Sequence, residues 1–245
     1  MEGMFFQYMG LVVVTLLTSM ITLFTGFGVG TIMMPVMALF FDIKAAIFMA
    51  AIVHFFNNIV RLFLYRQDIN WQIIRRFGVV SLLGAFIGSF SQIYIDSTQL
   101  KPAVGLFLVF YALVSLLAGK IKFSLPRRID IIGGFLSGLV GGLIGNQGAI
   151  RSLYLLGYGL QKQELIVSAA LIAVIIDVTR IPVYAYANSG YLYQHGNVLT
   201  VVVVAAILGT LVGSRLLPKV SYSIFKRIIL LGVLPLGLLM LLGVA

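Results

Sequence analysis

The 245-residue chain contains no cysteine, and only seven of its residues are aspartate or glutamate. Without cysteine it cannot form a disulfide, a thiolate zinc site, an iron–sulfur cluster or a thiol nucleophile. Charged residues make up 10% of the chain, whereas a soluble globular domain carries about a quarter. This scarcity of charge excludes an ordinary soluble domain.

Apolar residues fill the sequence instead, at 61% of all positions and in runs that recur from end to end. A helix needs about 20 apolar residues to cross a bilayer core of roughly 30 Å. We therefore predict an all-α integral membrane protein in a lipid bilayer. The segment Met1–Met4 lacks a basic region and no small-residue cleavage site follows it, so we expect Phe5 onward to be a mature membrane segment.

The net charge of +10 raises the question of a nucleic-acid partner. The basic residues lie in short clusters between apolar runs, as they do in the cytoplasmic loops of membrane proteins. A basic face with interleaved aromatic residues, which a nucleic-acid-binding protein would need, is not visible. We therefore expect no nucleic-acid binding.

Two of the apolar runs, 27–41 and 148–159, are too short for an ordinary crossing, and each follows a glycine-rich break. We predict two re-entrant helical hairpins with tips near the midplane, each followed by three transmembrane helices. The alternative is that each hairpin crosses the membrane fully, twice. The first repeat is residues 1–120, with hairpin 4–41 and spans 45–65, 77–95 and 101–119. The second is residues 121–245, with hairpin 129–159 and spans 165–187, 197–217 and 224–244.

The two halves share a series of residues in the same order, which indicates duplication. The matching pairs are Gly30 with Gly148, Asn58 with Asp177, Arg61 with Arg180, Tyr65 with Tyr184, Gly84 with Gly209, Gly88 with Gly213, Ser89 with Ser214, and Lys101 with Lys226. Within these series, Gly84 with Gly88 and Gly209 with Gly213 have the GxxxG spacing of closely packed membrane helices.

The distribution of lysine and arginine predicts the orientation, because cytoplasmic loops are enriched in both. Eleven of the seventeen lie in three loops: Arg66, Arg75, Arg76; Lys120, Lys122, Arg127, Arg128; and Arg215, Lys219, Lys226, Arg227. The loops near Asp42–Lys44, Asp96–Lys101 and Asn188–Gly196 have few and are expected outside. The enrichment in lysine and arginine is reversed between corresponding loops of the two halves, as in inverted-topology repeats. We expect a multi-pass protein of the cytoplasmic membrane with both termini outside.

The glycine-rich breaks are the first candidate for a binding site. Irregular backbone is tolerated inside a bilayer only where protein or a water-filled cavity satisfies it, and the helix starts that follow would favour an anion. The predicted lining residues are Gly28, Gly30, Asn146, Gln147 and Gly148. The alternative is that these glycines only allow close helix packing.

Arginines within predicted spans are the second candidate, since ionisable groups there are costly and tend to be functional. Arg61 and Arg180 occupy equivalent repeat positions and could clamp a small oxyanion. Alternatively, Arg61 reaches the cytoplasmic surface beside Arg66, and Arg180 is neutralised by Asp177 one turn earlier. We also include three further residues as substrate-binding candidates: Asn57, Asn58 and Arg151.

Two titratable residues are candidates for coupling transport to protons. Asp177 is the acidic residue that lies deep in a predicted span, and His54 titrates near neutral pH. The competing interpretations are a salt bridge from Asp177 to Arg180 and a helix–helix hydrogen bond from His54.

The breaks resemble those of the TauE/SafE family of sulfite exporters. The first reads Thr25-Gly26-Phe27-Gly28-Val29-Gly30 and precedes Pro35, and the second is the glycine-rich stretch from Gly134 to Gly148. The resemblance covers essentially the whole chain, and it implies transport of small sulfur-containing anions without ATP hydrolysis by the chain. The second break departs from the family by reading Gly-Asn-Gln-Gly, by the Arg151 that follows it, and by lacking a counterpart of Pro35. These changes lie where substrate selection is expected.

The residues and the resemblance together predict a secondary transporter of a small anion, such as sulfite or an organosulfonate, that works by alternating access. Walker A, HExxH, GxSxG and acidic metal motifs are not found in the sequence, so we expect neither an enzyme nor a cofactor. A passive anion channel and a non-transporting membrane assembly subunit remain as alternatives, and homo-oligomerisation remains open.

Overall fold

The computed structural model describes residues 2–23, 29–117, 129–216 and 222–243, and these form ten α-helices without a β-strand. Gly28, Lys120, Lys122, Arg127, Arg128 and Lys219 lie outside the described residues. The helices in chain order are α1 Glu2–Thr22, α2 Gly30–Met37, α3 Ile43–Tyr65, α4 Trp71–Ile93, α5 Ser97–Leu117, α6 Asp130–Ile144, α7 Gln147–Leu156, α8 Lys162–Ala187, α9 Ser189–Leu216 and α10 Tyr222–Leu241. The predicted all-α fold is confirmed.

Five of these helices, α3, α4, α5, α8 and α9, are long and apolar enough to cross a membrane. The chain is thus a multi-pass membrane protein. The helices α2 and α7, by contrast, have 8 and 10 residues, which is roughly 12–15 Å at 1.5 Å per residue. Both are too short to cross, and each follows one of the glycine-rich breaks.

Polar residues set several of the helix boundaries. Asp42 caps α3 by accepting from the Lys44 N–H (2.9 Å), and Asn70 caps α4 by accepting from the N–H groups of Gln72 and Ile73. Gly145 ends α6 in the left-handed conformation, at φ 79°, which glycine adopts without a side-chain clash. The chain can therefore turn sharply there before α7 begins at Gln147.

We predicted segment 188–196 as an outside loop, and the structure corrects this prediction. Helix α9 begins at Ser189, so Asn188 alone separates it from α8. The Asn188 N–H donates to the Tyr184 carbonyl (2.8 Å) and ends α8, and the next segment contains no proline that would prevent helix formation. Polar composition indicated a loop, whereas the residues extend a helix at the end of the bundle.

Glycines bring helices of the two halves into close contact. A Cβ on Gly84 would lie 2.1 Å from the Phe135 carbonyl oxygen of α6, and one on Gly209 would lie 2.4 Å from the Leu16 carbonyl oxygen of α1. Gly88 and Gly213 make equivalent close approaches to the same two helices. The predicted GxxxG packing of α4 and α9 is confirmed.

A different set of loops lies at each end of the helix bundle. At one end, Lys44 Nζ donates to the Ile93 carbonyl (3.2 Å) and Tyr191 Oη donates to Asp42 (3.3 Å). At the other end, Asn70 Nδ2 donates to Glu164 (2.6 Å). The loops we expected outside therefore lie together, and the basic loop after α3 lies beside the start of α8.

Candidate functional site

The two glycine-rich breaks meet in the centre of the bundle. Thr31 at the start of α2 donates through Oγ1 to Asn146 Oδ1 just before α7 (3.1 Å). Gly30 lies against the Gly145 carbonyl and the His54 ring, which a Cβ would approach at 3.6 and 3.7 Å. Helices α2 and α7 thus begin beside one another, next to the middle of α3.

A buried histidine–aspartate pair joins the two long central helices. His54 of α3 contacts Asp177 of α8 with 2.7 Å between Nδ1 and Oδ2, and both side chains are buried. Because α3 belongs to the first half and α8 to the second, this bond links the halves. The sequence named both residues as coupling candidates but gave no sign that they are paired.

Gln147 connects the second break to this pair. Its Nε2 donates to Asp177 Oδ1 (3.1 Å) and lies 3.3 Å from His54 Nδ1, while Ser137 Oγ donates to the Gln147 carbonyl (3.1 Å). The start of α7 is therefore held by side chains of α6 and α8.

Arg180 is the other partner of Asp177. Its Nε and Nη2 lie 2.9 and 2.8 Å from Asp177 Oδ1, and its Nη1 donates to the Gly141 carbonyl of α6 (2.6 Å). Tyr184 donates to the neighbouring Gly142 carbonyl. The predicted alternative, that Asp177 neutralises Arg180, is confirmed.

Arg61 lies on the same helix as His54 and has a different environment. Its Nη2 donates to Thr22 Oγ1 of α1 (3.2 Å), and 2% of the residue is exposed, so it does not reach the surface beside Arg66. Its Nε has no hydrogen-bond partner among the described residues. At the position that corresponds to Asp177, the first half has Asn58, whose Nδ2 donates to the His54 carbonyl (2.7 Å). Arg61 therefore has an amide where Arg180 has a carboxylate.

The remaining predicted residues surround these groups. Arg151 of α7 is fully buried and lies within electrostatic range of Arg61, Asp177 and Arg180. Gly148, one turn before it, accepts at its carbonyl from Ser152 Oγ (2.7 Å). Asn57 is directed instead toward α9, where its Nδ2 contacts Thr210 and the Ala206 carbonyl.

The central cluster contains three buried arginines and one buried carboxylate. Arg61, Arg151 and Arg180 are 2%, 0% and 1% exposed, and Asp177 is the carboxylate among them. The other acidic side chains that the structure describes lie elsewhere: Asp42, Asp68 and Asp96 are exposed, Glu164 binds Asn70, and Asp130 accepts from Tyr158. Asp177 forms its ion pair with Arg180, so it is not the ion-pair partner of Arg61.

Three threonines and a tyrosine contribute to the cluster without having been predicted. Thr31 binds Asn146, Thr22 binds Arg61, Thr210 binds Asn57, and Tyr184 binds the α6 backbone. Tyr184 already stood out as the repeat counterpart of Tyr65. The threonines gave no comparable signal, because a threonine in a membrane helix often bonds its own backbone.

The cluster is rich in nitrogen donors and poor in metal ligands. Within the described ranges no group of three or more histidine and acidic side chains is placed to hold a metal ion. Arginine, amide and hydroxyl groups that converge on one buried region are suited to binding an oxyanion.

Comparison with known families agrees with this chemistry. The model of the family described as "Sulfite exporter TauE/SafE" matches residues 11–240, and the chain belongs to that family. It is accordingly a membrane transporter and not an enzyme, and the family implies a small sulfur-containing anion as substrate. No curated protein sequence is similar enough to match the chain.

Proposed function

We propose that this protein is a secondary transporter of the cytoplasmic membrane that moves sulfite or an organosulfonate by alternating access. The anion binds in the centre of the bundle, where α2 and α7 begin. The residues that line this site in the proposal are Gly28, Gly30, Asn57, Asn58, Arg61, Asn146, Gln147, Gly148, Arg151 and Arg180.

The observation that carries the proposal is the buried Arg61, whose Nε has no hydrogen-bond partner among the described residues. A buried charge without a counterion costs several kcal/mol or more, so proteins pair such groups or bind an ion there. Asp177 forms its ion pair with Arg180, and the position next to Arg61 that corresponds to Asp177 is the neutral Asn58. Sulfite and sulfonates carry three oxygens on one sulfur, and guanidinium groups bind such oxygens through paired N–H donors.

Two unsatisfied donors support an anion site beside Arg61 and Asn146. Arg61 Nε and Asn146 Nδ2 are both buried, and neither has a hydrogen-bond partner among the described residues. Arg180, in contrast, already directs Nε and Nη2 at Asp177 and Nη1 at a carbonyl. Arg61 is therefore the arginine that binds the anion directly in the proposal, and Arg180 mainly holds Asp177 and α6 in position.

The packing of the helices supports movement of two inverted halves against one another. Helix α1 of the first half packs on α9 of the second, and the corresponding α6 packs on α4; likewise α3 contacts α9, and α8 contacts α4. The pairs α3 with α8 and α5 with α10 join counterparts directly. Exchanging the halves leaves these contacts unchanged, as expected for a pseudo-twofold axis through the site.

The proposed function is tested by sulfite flux into proteoliposomes that contain the purified protein. We expect Arg61→Gln to reduce the initial rate about ten- to a hundredfold, because a hydrogen bond to a charged group contributes about 1.5–3 kcal/mol. Arg180→Ala tests the second arginine in the same assay. Arg75→Gln, which removes an exposed arginine of α4, is the matched control and should transport like the wild type.

Three results contradict the proposal. Folded wild-type protein that moves neither sulfite nor the sulfonate isethionate rules out the substrate class. Equal sulfite flux in Arg61→Gln and the wild type rules out the central site. A unitary conductance far above carrier rates assigns the flux to a channel.

The inverted orientation of the halves predicts where introduced cysteines are accessible. Because the chain has no native cysteine, Lys44→Cys and Lys162→Cys each provide a single thiol. In intact cells a membrane-impermeant maleimide should label position 44, and position 162 should react only after the membrane is permeabilised. Labelling of both positions from the same side contradicts the inverted arrangement.

A further inference from the structure

We infer that His54, held by Asp177, binds a proton that is transported together with the anion and in the same direction. This inference rests on the proposed function, since it names the ion that drives the carrier. It is carried by the geometry of the pair at the meeting point of the two breaks.

The contacts of Asp177 indicate which nitrogen of His54 takes up the proton. Asp177 accepts from Gln147 and from its ion-pair partner Arg180 at Oδ1, and in the proposal its Oδ2 also accepts, from His54. His54 Nδ1, 2.7 Å from Asp177 Oδ2, must therefore carry a hydrogen. The lone pair of the neutral ring is on Nε2, which becomes the protonation site.

The ring of His54 lies against the first break. Its atoms nearest to Gly30 are Cδ2, the carbon next to Nε2, and Cγ, which an added Cβ would approach at 3.7 and 3.9 Å. Gly30 is the first residue of α2, beside which we place the anion. Proton and anion therefore bind as neighbours, with the imidazolium held on its other side by Asp177.

The charged groups around His54 determine the sign of the coupling. From α8, Asp177 attracts a charge on the ring and Arg180 opposes it; from α7, Arg151 opposes it, and Gln147 contributes a neutral amide. The cations on its own helix are Arg61 and, near the helix start, Lys44, and α2 contains no charged residue. A bound anion offsets the arginines, so anion binding favours protonation, and by linkage protonation favours anion binding to the same factor.

This coupling can be measured directly, because the chain has only two histidines. His195 lies at the end of the bundle against Phe41 (ring centroids 4.8 Å) and can be replaced with glutamine. In His195→Gln protein labelled with ¹⁵N-histidine, NMR follows the titration of His54 alone. We use isethionate, whose single charge is constant across neutral pH. Adding it should move the titration midpoint to higher pH by about one unit, a tenfold gain in proton affinity.

Transport supplies the second readout. With the membrane potential clamped by potassium and valinomycin, wild-type proteoliposomes should accumulate isethionate on the alkaline side, and a protonophore should abolish the accumulation. His54→Gln should show isethionate exchange that no longer responds to a pH gradient. Alkalinisation of the acidic compartment should accompany wild-type uptake.

The outcomes separate this inference from the proposed function. Wild-type exchange of isethionate without gradient-driven accumulation, or an unchanged His54 titration, overturns proton coupling and leaves the carrier intact. Gradient-driven accumulation that persists in His54→Gln assigns the proton to another group and also overturns the inference. If folded wild-type protein shows no exchange of isethionate or sulfite, the proposed function and the inference both fail.

Discussion

Replacing Asp177 with asparagine should destabilise the protein by about 3–5 kcal/mol, the range measured when one partner of a buried ion pair is removed. Asp177 is fully buried and bonds to His54, Gln147 and Arg180. An asparagine would leave Arg180 charged, buried and without its counterion. The melting temperature of the purified protein in detergent measures the loss.

Two further variants show whether the unpaired charge is the cause. In Asp177→Asn combined with Arg180→Gln the stranded charge is gone, so this protein should melt at a higher temperature than Asp177→Asn alone. Asp68→Asn, at an exposed acidic residue after α3, should melt like the wild type. If Asp177→Asn also melts like the wild type, the central charge balance that we describe is wrong.

A second large effect is expected at Gly138, where α6 crosses α4. A Cβ on Gly138 would lie 1.9 Å from the Ser81 carbonyl oxygen and 2.8 Å from the Ala85 nitrogen. Both are backbone atoms of α4, so the clash is relieved only by separating the helices, against further close contacts at Gly134 and Gly142. Overpacking typically costs about 1–3 kcal/mol, and contact between rigid backbones places Gly138→Ala at the upper end.

The matched control is Gly10→Ala in α1, where no atom lies within 4 Å of the added Cβ. Alanine is favoured over glycine inside a helix by about 1 kcal/mol, so this variant should melt at or above the wild-type temperature. Gly138→Ala should melt well below it, and Gly138→Leu should give little folded protein by gel filtration. Equal melting of the two alanine variants contradicts the close crossing of α4 and α6.

Local patterns predicted the parts of the fold that depend on local chemistry. Apolar runs of sufficient length identified the long helices, and the GxxxG spacing at Gly84 and Gly209 correctly indicated close packing. The same approach failed at 188–196, because a polar stretch without proline extends α9 as well as it would form a loop. Composition distinguishes segments that lie in the membrane from segments in water. It does not distinguish a helix that continues beyond the membrane from a turn.

The candidate site, like the fold, was predicted from the sequence only in part. The sequence supplied Arg61, Arg151, Arg180, His54 and Asp177 as costly groups inside apolar segments, and it supplied the breaks at Gly30 and Gly148. It also supplied the i,i+3 spacing of Asp177 and Arg180, which is a property of any helix.

The sequence by itself determined that this chain is an all-α membrane protein of a sulfur-anion transporter family, with two broken helices and few buried charges. Only the tertiary structure decided how those charges combine. His54 and Asp177 are 123 positions apart and meet because α3 packs on α8. Arg180 gains its counterion from its own helix, while Arg61 has Asn58 at the matching position and keeps an unsatisfied nitrogen. Pairing across distant segments follows from packing, and packing decides which buried charge remains for a substrate.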